Sequence, residues 1–233
     1  MDASYSYPIA SHAQAAERGA FLQRTYFHTA GSILVFGLIC ALLVNTIGET
    51  MASMIAGSQL MWLAVLVGFM AVSWLADSWA QSDTSIGMQY AGLSLYIVAE
   101  AFLFTPLLYI ATMKLHAGDL IMQAGFMTLF LFGGITAFAF ISKKDFSWLG
   151  GVLCVGGFIA MGFIALSAIF GFSLGLVFSA AMMIFACGSI LYTTSNMIHV
   201  YRTDQHVAAS LALFSGIALL FWYIIQILLR SRD

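Results

Sequence analysis

Apolar residues run through this chain in long stretches that short polar segments interrupt. A helix that crosses a bilayer needs about 20 mostly apolar residues, and the stretches are long enough to provide such helices. Residues 146–201 contain no acidic or basic residue apart from His199, so they have room for two spans with a break near residues 170–173. The pattern predicts seven transmembrane helices, at residues 25–48, 59–76, 86–113, 120–141, in the two halves of 146–201, and at 206–229.

Residues 1–24 lack such a stretch and are rich in Ala, Ser and Tyr. They hold too little apolar surface to fold alone, so disorder or a weak surface helix is expected. The predicted organisation is a cytoplasmic polar tail over residues 1–24 and an all-α transmembrane bundle over residues 25–233. The tail has no signal-peptide pattern, so we expect the first span to direct membrane insertion.

The composition supports lipid as the solvent and argues against several classes of function. Apolar residues make up 62% of the chain and charged residues only 8%, whereas soluble domains carry about 25% charged residues. The net charge of −2 predicts no nucleic-acid partner. The three cysteines lie within apolar stretches and are expected to be buried thiols. No phosphate-binding, CxxC or HExxH motif occurs, so we expect neither a cofactor nor a metal.

The distribution of Lys and Arg predicts the orientation, because these residues favour cytoplasmic loops. A cytoplasmic N-terminus places five of the eight basic residues inside and the C-terminus outside. The inside set is Arg18, Arg24, Lys143, Lys144 and Arg202, and the outside set is Lys114, Arg230 and Arg232.

A polar cluster ends the sixth predicted span and carries a family resemblance. Residues 191–199 read Leu-Tyr-Thr-Thr-Ser-Asn-Met-Ile-His, with five polar residues within seven positions. Residues 144–151, the Arg-Thr-Tyr-Phe at 24–27 and the Ser-Arg-Asp at 231–233 are further matching features. With these features the chain resembles the Bax inhibitor-1 family, and most of all its bacterial YccA branch.

The resemblance implies a fold and a set of functions. The implied fold is a bundle in which two layers of three helices enclose a central seventh helix. The YccA branch implies a protein of the bacterial inner membrane that modulates, or is a substrate of, the AAA protease FtsH, which grips a cytoplasmic N-terminal tail. A proton-linked calcium or cation leak is the first alternative. An accessory subunit of a larger membrane complex is the second.

The resemblance also identifies two positions that bear on the leak. Calcium-leak members of the family carry an acid in the sixth helix and another in the seventh, and these positions correspond to Thr193 and Ser215. Hydroxyl groups do not titrate near neutral pH. The resemblance therefore supports the fold more strongly than the leak.

Other polar residues in the predicted spans are candidates for function. Glu100 lies near the middle of the third span, and an intramembrane acid is either a functional group or a neutral, hydrogen-bonded packing group. Tyr96, Thr105 and Ser215 are its candidate partners. Asn196 and His199 are expected to cap or join helices, with pH sensing by His199 as an alternative. We expect no enzyme, since the histidines near helices lie at helix ends and no lysine follows Lys144.

Overall fold

The computed structural model describes residues 7–82, 85–142 and 144–232. Lys143 and Asp233 therefore lie outside the described residues, as do residues 1–6 of the predicted tail. Within the described part, seven helices are long and apolar enough to cross a membrane, which confirms the predicted fold class. The helices are α1 (Ala15–Thr46), α2 (Gly48–Ala56), α3 (Gln59–Ala80), α4 (Ile86–Tyr109), α5 (Gly118–Ser142), α6 (Leu149–Phe170), α7 (Gly175–His199) and α8 (His206–Arg230).

Short polar residues and one glycine set several helix ends. The Ser58 hydroxyl accepts a hydrogen bond from the backbone N–H of Met61 at the start of α3, and Ser85 does the same for Met88 at the start of α4. Such caps satisfy backbone donors that have no partner within the helix. Gly171 ends α6 with a φ of 73°, a left-handed conformation that glycine adopts without strain. The predicted break near residues 170–173 is thereby confirmed.

The last helix, α8, is the central element of the bundle. In its most apolar stretch 56% of the residues are buried, compared with 6% in α3. It packs against α1, α3, α4, α5 and α7. Gly216 allows α8 to approach α7 closely, because a Cβ atom there would lie 2.9 Å from Ile190. Small residues permit this kind of backbone approach between helices in lipid. The central seventh span that the family resemblance implies is therefore confirmed.

The outer surface of the bundle is apolar. Large side chains such as Phe130 and Ile141 on α5 and Val177 on α7 are almost fully exposed. A protein surrounded by water would not leave so large an apolar surface uncovered. This surface is the one that the bilayer covers.

The N-terminal segment differs from the prediction of a separate polar tail. Helix α1 begins at Ala15 instead of residue 25, and residues 8–10 lie against the turn that joins α7 to α8. Ile9 forms an antiparallel bridge with Arg202, and the Ala10 N–H donates to the Tyr201 carbonyl at 3.0 Å. We call residues 8–10 and 201–203 together the N-terminal clasp.

Buried side chains hold the same region in place. Ala10 and Phe21 are inaccessible to solvent and pack with Met197, Ala209 and Leu213. The Thr203 hydroxyl donates to the Glu17 carboxylate at 2.8 Å. Residues 7–24 are therefore packed onto the bundle, and the sequence alone does not indicate this because the surface that they cover forms only when α7 and α8 come together.

Two further local features were not predicted. The short helix α2 lies between the first and second spans and packs against α4, where Gly48 meets the ring of Tyr109. Helix α4 contains Pro106 and continues after Tyr109 as a single π-turn, Ile110–Lys114. Turns of this kind occur mostly as short irregularities within α-helices.

Candidate functional site

The polar cluster at the end of α7 joins that helix to the segment before α6. Ser195 accepts a hydrogen bond from the Phe146 N–H at 2.9 Å, and Asn196 accepts one from the Ser147 hydroxyl at 3.2 Å. The Thr194 hydroxyl donates to the Ile190 carbonyl one turn earlier, at 2.8 Å. These contacts give the hydroxyl and amide groups partners within the protein, so this part of the cluster has a clear structural role.

Two ionisable groups extend this polar network. His199 Nδ1 lies 3.0 Å from the Ser195 carbonyl oxygen. Asp145 accepts a hydrogen bond from the backbone N–H of Ser147 and also from the Ser147 hydroxyl, whose single proton it shares with Asn196. These bonds lower the pKa of the exposed Asp145 carboxyl below its ordinary value. The network therefore runs from α7 through Ser147 to the Asp145 carboxylate.

Neither position of the family's acid pair holds an acid. Thr193 is buried in α7. Ser215 lies in α8, where its oxygen accepts a hydrogen bond of 2.8 Å from the Tyr96 hydroxyl on α4. Within the described ranges, no three His, Cys, Asp or Glu side chains are grouped so that they could hold a metal ion. A neutral Tyr–Ser bond thus stands at one of the two acid positions.

Glu100 is the buried acid of α4, with 5% of its surface exposed. Its Oε2 atom is buried and has no hydrogen-bond partner among the described residues. Two of the three suggested partners direct their hydroxyl protons elsewhere: Tyr96 donates to Ser215, and Thr105 donates to the Ala101 carbonyl at 2.7 Å. Glu100, Tyr96 and Ser215 therefore line the same cavity. The predicted hydrogen bond to the Glu100 Oε2 atom is not formed among the described residues.

A cavity of about 500 Å³ lies beside Glu100, among α3, α4, α6, α7 and α8. Glu100, Tyr96 and Ser215 line it near the middle of the bundle, whereas the exposed residues Ser173 and Arg230 line it at the C-terminal end of α8. Ser215 and Arg230 are fifteen residues apart on one helix, which corresponds to about 22 Å along its axis. The cavity is therefore elongated, with Glu100 in its deeper part.

Aromatic rings form much of the cavity wall. The rings of Trp62 and Trp222 stack with centroids 6.0 Å apart, and Phe104 meets Trp222 edge-on at 4.9 Å. Small-molecule sites are concave, mostly apolar and equipped with a few polar groups. The sequence identified Glu100 but not the cavity, since five separate helices contribute its lining.

One family model and several known proteins are similar to this chain. Residues 18–233 match the family model described as Inhibitor of apoptosis-promoting Bax1. The Golgi anti-apoptotic protein of Vaccinia virus (strain Lister) is 28% identical over 97% of this chain and 92% of its own length. Bax inhibitor 1 of Schizosaccharomyces pombe is 36% identical over 57% of this chain and 52% of its own length.

A bacterial relative carries a more specific name. The Modulator of FtsH protease YccA of Escherichia coli (strain K12) is 29% identical to this chain over 180 residues. The match covers 73% of this chain and 76% of the relative. The likeness thus extends over most of both proteins.

Proposed function

The chain belongs to the Bax inhibitor-1 family of multi-pass membrane proteins. We propose that it modulates an FtsH-type membrane protease in the quality control of membrane proteins. The role is regulatory and not catalytic. The observation that carries the proposal is the likeness to the Escherichia coli modulator over about three quarters of each chain. The proposed setting is a bacterial inner membrane, with the N-terminus in the cytoplasm and the C-terminus outside.

The N-terminal clasp suggests where such a protease would make contact. Residues 8–10 lie against the α7–α8 turn, and the segment before α6 is bonded to the end of α7. Three separate parts of the chain therefore share one end of the bundle, which the basic residues predict to be cytoplasmic. Because several segments form the surface at this end, we expect the protease to recognise the folded protein and not only an N-terminal tail.

Affinity capture from native membranes tests the proposal. The tagged full chain is expected to bring down the FtsH-type protease, and its overproduction is expected to lengthen the half-life of another membrane substrate of that protease. The variant Thr203→Val, which removes the hydrogen bond to Glu17 in the clasp, is expected to change the yield of captured protease. A matched control is Val177→Ala, on the exposed apolar surface. Absence of the protease together with an unchanged substrate half-life would refute the proposal.

A proton-linked cation leak is the second candidate, and one observation favours it: the buried Glu100 carboxyl lines a cavity that reaches the end of the bundle. The acid pair of the family's calcium-leak members is absent at Thr193 and Ser215. We therefore expect that liposomes containing the purified protein lack the steep pH-gated calcium flux of those members, and that Glu100→Gln abolishes any cation flux they show. A calcium flux with a sigmoidal pH response near neutrality that survives Glu100→Gln would contradict this.

A further inference from the structure

We propose that the cavity beside Glu100 is a binding site for a hydrophobic amine, whose ammonium group pairs with the Glu100 carboxylate and whose apolar body lies along the aromatic wall. This site is independent of the protease proposal. The inference starts from the Oε2 atom of Glu100, which is buried and has no hydrogen-bond partner among the described residues. Nearly all buried polar atoms in proteins have a partner, and the Glu100 side chain lines a cavity, so we assign the missing donor to a ligand bound there.

The groups around the deep part of the cavity select the head group. An ionised Glu100 offers only acceptors, and the Tyr96 oxygen adds another, while the Ser215 hydroxyl already accepts the Tyr96 proton and keeps one proton to donate. Acceptors thus exceed donors. An ammonium group has three N–H donors and no acceptor, so it matches this set better than a hydroxyl. An anionic head group would be repelled by the carboxylate.

No basic residue of the protein competes for this position. In the part of the chain that the structure describes, Glu100 forms no ion pair with Lys or Arg. Arg230 also lines the cavity, but it lies at the far end of α8 from Ser215. A buried carboxylate without a counter-charge is strongly disfavoured, and a bound ammonium would supply that charge.

The lining selects an organic cation over a metal ion. Calcium takes about six to eight oxygen ligands, whereas the deep part of the cavity presents one carboxyl and two hydroxyl groups. The remaining walls carry Trp62, Phe104 and Trp222, which suit an apolar or aromatic body and attract a cation to their faces. A volume of about 500 Å³ lies within the usual range for sites that bind small organic molecules.

The exposed residues at the cavity end suggest the route of entry. Ser173 and Arg230 are exposed and line the cavity where α6 and α7 connect and α8 ends. A ligand that enters there would move its ammonium group toward Glu100 and leave its apolar body among the aromatic rings. An elongated molecule therefore fits the site better than a compact one.

Three probes that share one body test the proposal: phenylbutylamine, phenylbutanol and phenylbutyric acid. Binding to the purified full chain in nanodiscs is measured by equilibrium dialysis, and protein-free nanodiscs correct for partition into lipid. The amine is expected to bind saturably, the alcohol more weakly and the acid not at all. Binding that does not saturate, or an acid that binds as tightly as the amine, would overturn the proposal.

Two variants separate the carboxylate from general effects. Glu100→Gln keeps the shape but removes the charge, so amine affinity should fall by about tenfold or more while alcohol affinity stays the same. Glu49→Gln makes the same chemical change at an exposed position on α2 and should leave both affinities unchanged. Equal amine affinity in the wild type and Glu100→Gln would refute the pairing. If Glu100→Gln fails to fold, Glu100→Asp provides the test. Its carboxylate is withdrawn by one methylene group, so the affinity for the amine should fall while the affinity for the alcohol stays the same. Unchanged affinity for the amine would then refute the pairing.

Discussion

The polar cluster at the end of α7 and the Glu100 cavity place polar groups inside the same apolar bundle in opposite ways. In the cluster, Thr194, Ser195 and Asn196 each have a hydrogen-bond partner. In the cavity, Glu100 Oε2 has none among the described residues. Each region also contains one position of the family's acid pair, Thr193 in the first and Ser215 in the second. A dense polar run in the sequence therefore marks a structural joint, and a single isolated acid marks the stronger candidate site.

The comparison predicts different responses to substitution. A region in which polar groups are satisfied and apolar groups are buried should lose stability when either is removed. A region with an unsatisfied buried carboxyl should tolerate its removal or gain stability. Natural proteins retain such unfavourable groups mainly where function requires them.

The largest expected effect concerns the apolar side of the α7 end. Phe21→Ala removes a ring that is 1% exposed and packs with Met197 and Leu213, which should lower the free energy of unfolding by about 3 kcal/mol. For a chain of this size the melting temperature should fall by on the order of 5–10 °C. Thermal unfolding in detergent measures the shift.

Phe27→Ala serves as the matched control. Phe27 lies on the same helix but is 77% exposed, so its removal should change the melting temperature by no more than about 2 °C, as for most surface substitutions. If the two variants unfolded at the same temperature, the packing of the N-terminal segment onto α7 and α8 would not contribute to stability.

This region also shows which features could be predicted from sequence. The transmembrane spans were predictable because a long apolar stretch by itself indicates a helix that crosses the membrane. The central position of α8 was implied by the family resemblance. The burial of Phe21 and the clasp were not, because they depend on residues about 180 positions later in the chain. For the same reason the sequence identified Glu100 but not the hydrogen bond between two of its candidate partners: the Tyr96–Ser215 bond joins residues 119 positions apart.

The next effect concerns the polar joint itself. Ser195→Ala removes the acceptor of the Phe146 N–H, so the variant should lose about 1 kcal/mol of stability and about 2–4 °C in melting temperature. Ser195→Thr retains the hydroxyl and should restore part of the loss. Ser231→Ala removes an exposed hydroxyl that donates to the Leu228 carbonyl and should have almost no effect. A Ser195→Ala protein as stable as the wild type would show that water replaces the bond.

The smallest effect has the opposite sign and belongs to the cavity. Glu100→Leu replaces an unsatisfied buried carboxyl by an apolar side chain of similar size, so the free energy of unfolding should rise by up to about 1 kcal/mol. Glu100→Gln still buries polar atoms without a protein partner and should stay within about 0.5 kcal/mol of the wild type. Thermal unfolding of protein washed free of lipid and ligand gives both values. A Glu100→Leu protein that is clearly less stable than the wild type would mean that the carboxyl has a stabilising partner, and the contrast between the two regions would disappear. A more stable Glu100→Leu protein that also loses amine binding would show that the chain keeps Glu100 for a ligand at the expense of its own stability.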